Sequence, residues 1–302
     1  MTSFASLIAE GRVQQEVRLG SLTTYKLGGP ARLYVELSGE EDLPGLAAAL
    51  AAEPVPVLII GRGSNLVIAD EGWPGLAIRF GYSFTQIEIG PGPDWTVTAG
   101  SATTLPRLAR ETVNRGRGGL EFYVGIPGSV GGAVHTNAGG HGSETADWLI
   151  GARIFDLATA GFRTLSTEEL DFEYRSSNLR STDLVVSADF RTEPVEAAEG
   201  QNHLREITRW RRANQPGGTL NAGSVFRNPA GDAAGRIIDE LGLKGFRVGG
   251  AAVSTKHANF FEAGPEATAQ DVYDLVGEIR RQVAEKTGID LVPEVQFAGP
   301  FA

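Results

Sequence analysis

The glycine-rich loop Gly61-Arg62-Gly63-Ser64-Asn65 joins two apolar, β-branched runs, residues 55–60 and 66–69, and this order restricts the fold more than any other feature of the chain. A dinucleotide fold of the Rossmann kind needs such a loop to open a helix, whose N-terminus carries the pyrophosphate. Here a strand follows, so that architecture is disfavoured. A second loop, Gly125-Ile126-Pro127-Gly128-Ser129-Val130-Gly131-Gly132, follows an aromatic stretch and predicts a short helix up to Thr136. Glycines let main-chain N–H groups converge on phosphate oxygens, and the helix would aim its amide dipoles at an anion. Two such loops in one chain point to an extended diphosphate held by backbone rather than by charge.

Composition narrows the partners. The formal net charge of −10 argues against nucleic-acid and membrane-surface binding, both of which need a positive field. With no cysteine there are no disulfides, thiolate metal sites or cysteine nucleophile, which fits a reducing cytoplasm. The first 20 residues lack a basic start followed by an apolar core, so no signal peptide is expected. Forty glycines, concentrated at 116–142, 216–223 and 242–250, mark local features rather than low complexity.

The residue pattern predicts a helix over 5–17 with Leu7, Ile8 and Val13 on one side, short strands at 25–27 and 31–37, a helix over 40–52, and strands at 55–60 and 66–69. Residues 80–98 read as strand, turn (Gly90-Pro91-Gly92-Pro93) and strand, and 105–115 as a helix. Strands at 150–156, 162–166 and 184–190 complete a strand-rich first domain. The acidic segment 193–200 reads as a linker, followed by an arginine-rich helix over 201–214. The clearest helix is 270–286: Val272, Leu275, Val276, Ile279 and Val283 share one face, Thr268 is the expected N-cap, and Gly288 ends it. A last strand at 291–297 is interrupted by Pro293. The expected domains are an N-terminal helical segment (1–19), a first domain (20–193, with lobes 20–80 and 81–193) and a second (201–302).

Several residues carry candidate chemistry, each with a plainer alternative. The GRGSN loop alone could be a simple strand–strand turn. Arg175, after Tyr174, could pair with Glu173 or Asp171; alternatively its guanidinium could grip a carboxylate or a developing enolate. Ser224, in Asn221-Ala222-Gly223-Ser224-Val225-Phe226-Arg227-Asn228-Pro229, could satisfy a turn or donate a proton to a carbanion. Glu294 in its apolar surroundings could be an edge charge. The four histidines form no metal-ligand pair, and no metal is expected.

Taken in order, Gly28-Gly29-Pro30-Ala31, the 61–65 loop, 125–133 with Asn137-Ala138-Gly139, Tyr174-Arg175, 221–229, Gly242-Leu243-Lys244-Gly245 and Pro293-Glu294-Val295 resemble the UDP-N-acetylenolpyruvoylglucosamine reductase (MurB) family. The resemblance runs from about residue 20 to 297. It implies an α+β fold: a two-lobed FAD-binding domain of the vanillyl-alcohol-oxidase (PCMH) type followed by a smaller α+β substrate-binding domain. It also implies an NADPH-dependent flavoenzyme of bacterial peptidoglycan synthesis. Such an enzyme reduces UDP-N-acetylglucosamine enolpyruvate with non-covalent FAD and NADPH as co-substrate, its small-molecule partners.

On this resemblance Gly61, Arg62, Gly63, Ser64, Asn65, Gly125, Ile126, Pro127, Gly128, Gly131, Gly132, Asn137 and Gly139 hold the cofactor. Arg175 and Glu294 polarise the substrate, Ser224 donates the proton to C2, and Tyr174, Gln215, Arg227 and Asn228 contact the substrate. Glu294 is expected to have a raised pKa, because a bare carboxylate would repel an enolate. Arg227 stands where the family is expected to have lysine, and Gly140 where it usually has alanine. The short span from Arg175 to Ser224 matches members without a substrate-covering insertion. A cytoplasmic monomer is expected. The rival readings are an oxidase of the same fold with flavin tethered through His135 or His141, and a non-catalytic sugar-nucleotide sensor.

Overall fold

The computed structural model describes residues 2–90 and 94–302, which fold into two compact units. The first comprises Met1–Gln15, Leu33–Arg62 and Gly75–Arg211; the second comprises Glu16–Arg32, Gly63–Pro74 and Arg212–Ala302. The turn expected at 90–93 falls largely outside the described residues.

The first unit is organised by a five-stranded antiparallel sheet in the order Gly161–Ser166, Leu149–Asp156, Asp183–Arg191, Thr96–Gly100, Ile87–Ile89. Successive side chains of a strand point to opposite faces. Accordingly Ile154, Val185, Ala188 and Phe190 enter one apolar core, while Phe155, Leu184 and Val186 enter another. Burial on both faces explains the unbroken run Leu184-Val185-Val186, where a half-exposed strand would alternate. The first core is closed by the helix Leu105–Asn114, whose Leu105, Leu108, Ala109 and Val113 are buried. The second is shared with the helix Leu43–Ala52 and the strands Pro30–Leu37, Trp73–Phe80 and Val57–Ile60, which lie side by side in that order. Val57–Ile60 runs parallel to Trp73–Phe80, and Pro30–Leu37, Leu43–Ala52 and Val57–Ile60 follow the strand, helix, strand succession expected over 31–60.

The second unit builds its core around the helix Ala269–Thr287, which buries Val272, Leu275, Val276, Ile279 and Val283. Thr268 caps it in a capping box with Asp271, and Gly288 ends it at φ 74°, as expected. The Asp70 carboxylate accepts the Ala269 and Gln270 N–H groups, supplying negative charge at the positive end of the helix dipole. A three-stranded sheet (Arg247–Val248, Ala251–Val253, Phe261–Ala263) and a parallel pair, Gln296–Ala298 with Leu66–Ile68, complete the unit.

Three elements differ from expectation. The N-terminal helix stops at Ala9, where Gly11 turns the chain at φ 72°, and Gln14–Arg18 is a strand. Residues 25–27 form no strand. Tyr25 is fully buried in the second unit instead, its hydroxyl donating to the Phe261 carbonyl at 3.0 Å. Segment 193–200 is not an open linker: Glu193–Pro194 pairs with Arg117–Gly118, and a helix runs over Ala197–Asn214. No helix among the described residues is long and apolar enough to cross a membrane.

Candidate active site

In the first unit the second glycine loop leads into a helix, Val130–Thr136, as its sequence predicts. The Val130 and Gly131 N–H groups donate to the Thr103 and Ser101 carbonyls, so these two donors tie the helix start to the strand end beneath it. Gly61 reaches the same spot: a Cβ there would stand 2.7 Å from Ser129 Oγ. Gly61 therefore meets the second loop at Ser129, and a side chain at Gly61 would have to displace the Ser129 hydroxyl. Gly132 is exposed, with only Ser129 Oγ within 4 Å of where its Cβ would lie. Beside Gly131, Ser101 Oγ is buried and has no hydrogen-bond partner among the described residues.

Asn137 ends the Val130–Thr136 helix in the left-handed conformation, at φ 43°. Only 1% exposed, its amide accepts from Ala146 N–H and donates to the Glu173 carbonyl. That bond holds a tight turn in which Glu173 and Ser176 exchange backbone hydrogen bonds, with Tyr174 and Arg175 at its tip. Arg175 is left-handed at φ 59°, a conformation non-glycine residues adopt at a cost of about 1 kcal/mol or more. Its guanidinium donates to the Gly139 carbonyl at 2.9 Å and the Asn137 carbonyl at 3.5 Å, and stacks 4.9 Å from the Tyr174 ring centre. A Cβ at Gly139 would lie 2.6 Å from Glu144 Cβ, 2.9 Å from the Ser143 carbonyl oxygen and 3.0 Å from Arg175 Nη1, so the paired Ser143–Glu144 segment and the guanidinium both crowd that position. The structure thus joins Asn137, Gly139, Tyr174 and Arg175.

The two histidines near the second loop are engaged by the protein. His135 Nε2 lies 3.1 Å from the Asp183 carbonyl, and burial pushes its pKa below the ordinary value. His141 packs edge-on to Trp210, and burial, then the Arg211 and His203 charges, lower its pKa.

In the second unit, Ser224 sits on a short extended segment between two others. Ser224 pairs across with Phe260, and Phe226 with Pro293. Glu294 N–H donates to the Val225 carbonyl at 2.7 Å, and Arg227 N–H to the Val292 carbonyl. Ser224 and Glu294, far apart in sequence, are thereby brought onto adjoining segments. Asn65 closes the arrangement. Its side-chain amide donates to the Glu294 carbonyl at 3.0 Å, and its own carbonyl accepts from Gln296 N–H. Gly63 makes the preceding turn at φ 59°, crowded against Leu22 and Thr23.

Of the remaining expected residues, Ser64, Gln215, Arg227 and Asn228 belong to the second unit and Arg62, Ile126 and Pro127 to the first. Asn228 Oδ1 accepts the Ala234 N–H at the start of the helix Ala234–Glu240, and Gln215 and Arg227 are half-buried. Arg62 is exposed, and Ser64 is half-buried. Ile126 is half-buried and Pro127 exposed in the loop before Gly128. Sequence reasoning missed Asn259, which is buried against residues 225 and 226. The available signal was a lone amide in the apolar run Ala258-Asn259-Phe260-Phe261.

Residues 31–166 match the FAD binding domain family, and residues 215–298 match the C-terminal domain of UDP-N-acetylenolpyruvoylglucosamine reductase. The chain is 40% identical over 290 residues to UDP-N-acetylenolpyruvoylglucosamine reductase 2 of Symbiobacterium thermophilum, spanning 96% of this chain and 93% of that protein. It is 42% identical to UDP-N-acetylenolpyruvoylglucosamine reductase of Synechococcus sp. strain WH7803, over 96% of this chain and 94% of the relative. Among solved structures, UDP-N-acetylenolpyruvylglucosamine reductase (MurB) from Thermus caldophilus superposes with a TM-score of 0.82 at 35% identity, covering 95% of this chain and 99% of that one.

Proposed function

The chain belongs to the UDP-N-acetylenolpyruvoylglucosamine reductase family, and from that premise we propose that it uses NADPH and non-covalent FAD to reduce UDP-N-acetylglucosamine enolpyruvate to UDP-N-acetylmuramate in peptidoglycan synthesis. The enzyme acts as a cytoplasmic monomer. The observation that carries the reading is the pairing of Ser224 and Glu294 on adjoining segments, with Glu294 N–H bonded to the carbonyl that follows Ser224.

The residues of the first unit fit the cofactor. Gly61 and the 125–132 loop meet at Ser129, Gly132 is open, and the buried Ser101 hydroxyl, without a hydrogen-bond partner among the described residues, offers a polar contact. When bound, FAD supplies a two-electron relay from NADPH to the vinyl C3 of the substrate. Gly61, Arg62, Gly63, Ser64, Asn65, Gly125, Ile126, Pro127, Gly128, Gly131, Gly132, Asn137 and Gly139 form its binding loops.

Reduction at C3 leaves negative charge at C2 that spreads into the substrate carboxylate. Arg175 grips that carboxylate, since a guanidinium stays charged and binds bidentately. Its held, strained backbone keeps it oriented before the substrate arrives, and preorganised charge of this kind supplies much of the rate enhancement in many enzymes. Glu294, protonated, adds a donor to the same developing charge. Ser224 gives its proton to C2, completing addition of hydride and proton across the double bond. A serine hydroxyl is a weak acid, so its proton must be resupplied through neighbouring groups or water. Tyr174, Gln215, Arg227 and Asn228 hold the remainder of the substrate.

The test is the visible spectrum of the purified protein, followed without oxygen through addition of NADPH and then of the enolpyruvyl sugar nucleotide. Bleaching by NADPH and recolouring by the sugar nucleotide support the reading. Recolouring by air alone points to an oxidase, and a colourless protein that cannot be reconstituted with FAD overturns it.

A further inference from the structure

The roles proposed above leave one buried polar side chain beside them without a function. Asn259 is 3% exposed and lies among apolar neighbours. Its main-chain carbonyl accepts from Val225 N–H at 2.9 Å, its Oδ1 accepts from Phe226 N–H at 2.9 Å, and its Nδ2 donates to the Phe226 carbonyl at 2.8 Å. In a regular antiparallel pair, a residue that exchanges both bonds with its partner is followed by one whose groups face away. Here both residues after Ser224 are bonded to Asn259, because the side-chain amide stands in for a further strand residue.

The opposite edge is also fixed. The Val225 carbonyl accepts from Glu294 N–H and, at 3.3 Å, from Val295 N–H. All four main-chain polar groups of Val225 and Phe226 are therefore engaged, two of them by one side chain. Ser224 is attached directly to this immobilised dipeptide.

We propose that Asn259 is a positioning residue for the reaction, holding Ser224 at the place from which it protonates the substrate. This rests on the reading of Ser224 as the proton donor. The choice of asparagine follows from the two bonds: the site needs one donor and one acceptor on a single short planar group. Aspartate lacks the donor and would bury a charge, and glutamine is one methylene too long for the same register. Removing the amide also leaves the Phe226 N–H and carbonyl buried and unsatisfied, which drives the segment to shift.

The experiment uses FAD-loaded protein and measures two rates separately: flavin reduction by NADPH, and flavin reoxidation by the enolpyruvyl sugar nucleotide without oxygen. Wild type, Asn259→Ala, Ser224→Ala and the double variant are compared at a temperature below every melting point. Asn259→Ala is expected to slow reoxidation on the order of 10²-fold, the effect of a roughly 1 Å misplacement. It should leave reduction unchanged and add little to Ser224→Ala. Reoxidation at the wild-type rate, equal slowing of both steps, or fully multiplicative effects in the double variant overturns the positioning role. Should Asn259→Ala not fold, Asn259→Ser, which can still satisfy one Phe226 group, carries the same expectation with a smaller factor. If Ser224→Ala reoxidises at the wild-type rate, the proton-donor reading itself falls. Normal reoxidation in the Asn259 variants alone removes only the present inference.

Discussion

The Ser224 segment and the Arg175 turn reach their positions by opposite means. Ser224 lies between two extended segments, followed by buried Val225, bonded on both edges, and buried Phe226, bonded twice to Asn259. Arg175 sits at the tip of a short turn beside Tyr174, which is 46% exposed, and its own backbone is left-handed. Packing, main-chain bonds and the buried Asn259 amide place the first group. Side-chain bonds to two carbonyls and the Asn137 clamp place the second. The difference suits the tasks assigned to them. Proton delivery tolerates little error in distance and is served by a fixed main chain, whereas a charged fork needs only its guanidinium held in orientation, as the two carbonyls hold it.

The comparison can be broken first at Glu294, which shares the rigid region. Glu294→Ala is expected to cut the reoxidation rate by about 10²–10³-fold, the usual effect of removing a donor to developing negative charge. Glu294→Gln, which keeps a donor, should retain more activity. An equally slow glutamine variant would show that the acidic proton itself is needed. Arg175→Lys should cost less, roughly 10–100-fold on the same step, since it removes the fork but keeps the charge. An unchanged rate would return Arg175 to a purely structural role.

A milder effect is expected where the glycine loops meet. Gly61→Ala puts a methyl group against Ser129 Oγ and should weaken FAD binding by about tenfold through overpacking. Flavin fluorescence would measure this, and affinity within twofold of wild type would mean the convergence does not shape the cofactor site. The smallest effect concerns pH. Burial lowers the His135 pKa in the folded protein, so the unfolded chain binds a proton more readily. Stability from this group is complete above the unfolded value of about 6.5 and declines as pH falls below it. His135→Gln should flatten that part of the melting-temperature profile, and an unaltered slope would assign the loss to other groups.

What could be read from the sequence was mostly local. The helix Ala269–Thr287 declared itself through its apolar face, its Thr268 cap and the glycine after it. The middle strand of the five-stranded sheet, Asp183–Arg191, carries the unbroken apolar run Leu184-Val185-Val186 because both its faces are buried. Misreadings came where a neighbour distant in sequence decided the outcome. The acidic 193–200 segment looked open until Arg117–Gly118 paired with its start. Tyr25 looked like part of a strand, yet Phe261, remote in sequence, accepts its hydroxyl. The same holds at the site. Ser224 and Glu294 could be named from the motif order, but no spacing reveals that Val225 joins them, that Asn65 fastens Glu294, or that Asn259 braces Phe226.

The most direct test of the account is stopped-flow spectroscopy on Ser224→Ala loaded with FAD. The account predicts bleaching by NADPH at the wild-type rate, then reoxidation by the enolpyruvyl sugar nucleotide slowed by about 10²–10⁴-fold. Both steps at wild-type speed would contradict it and remove Ser224 from the chemistry.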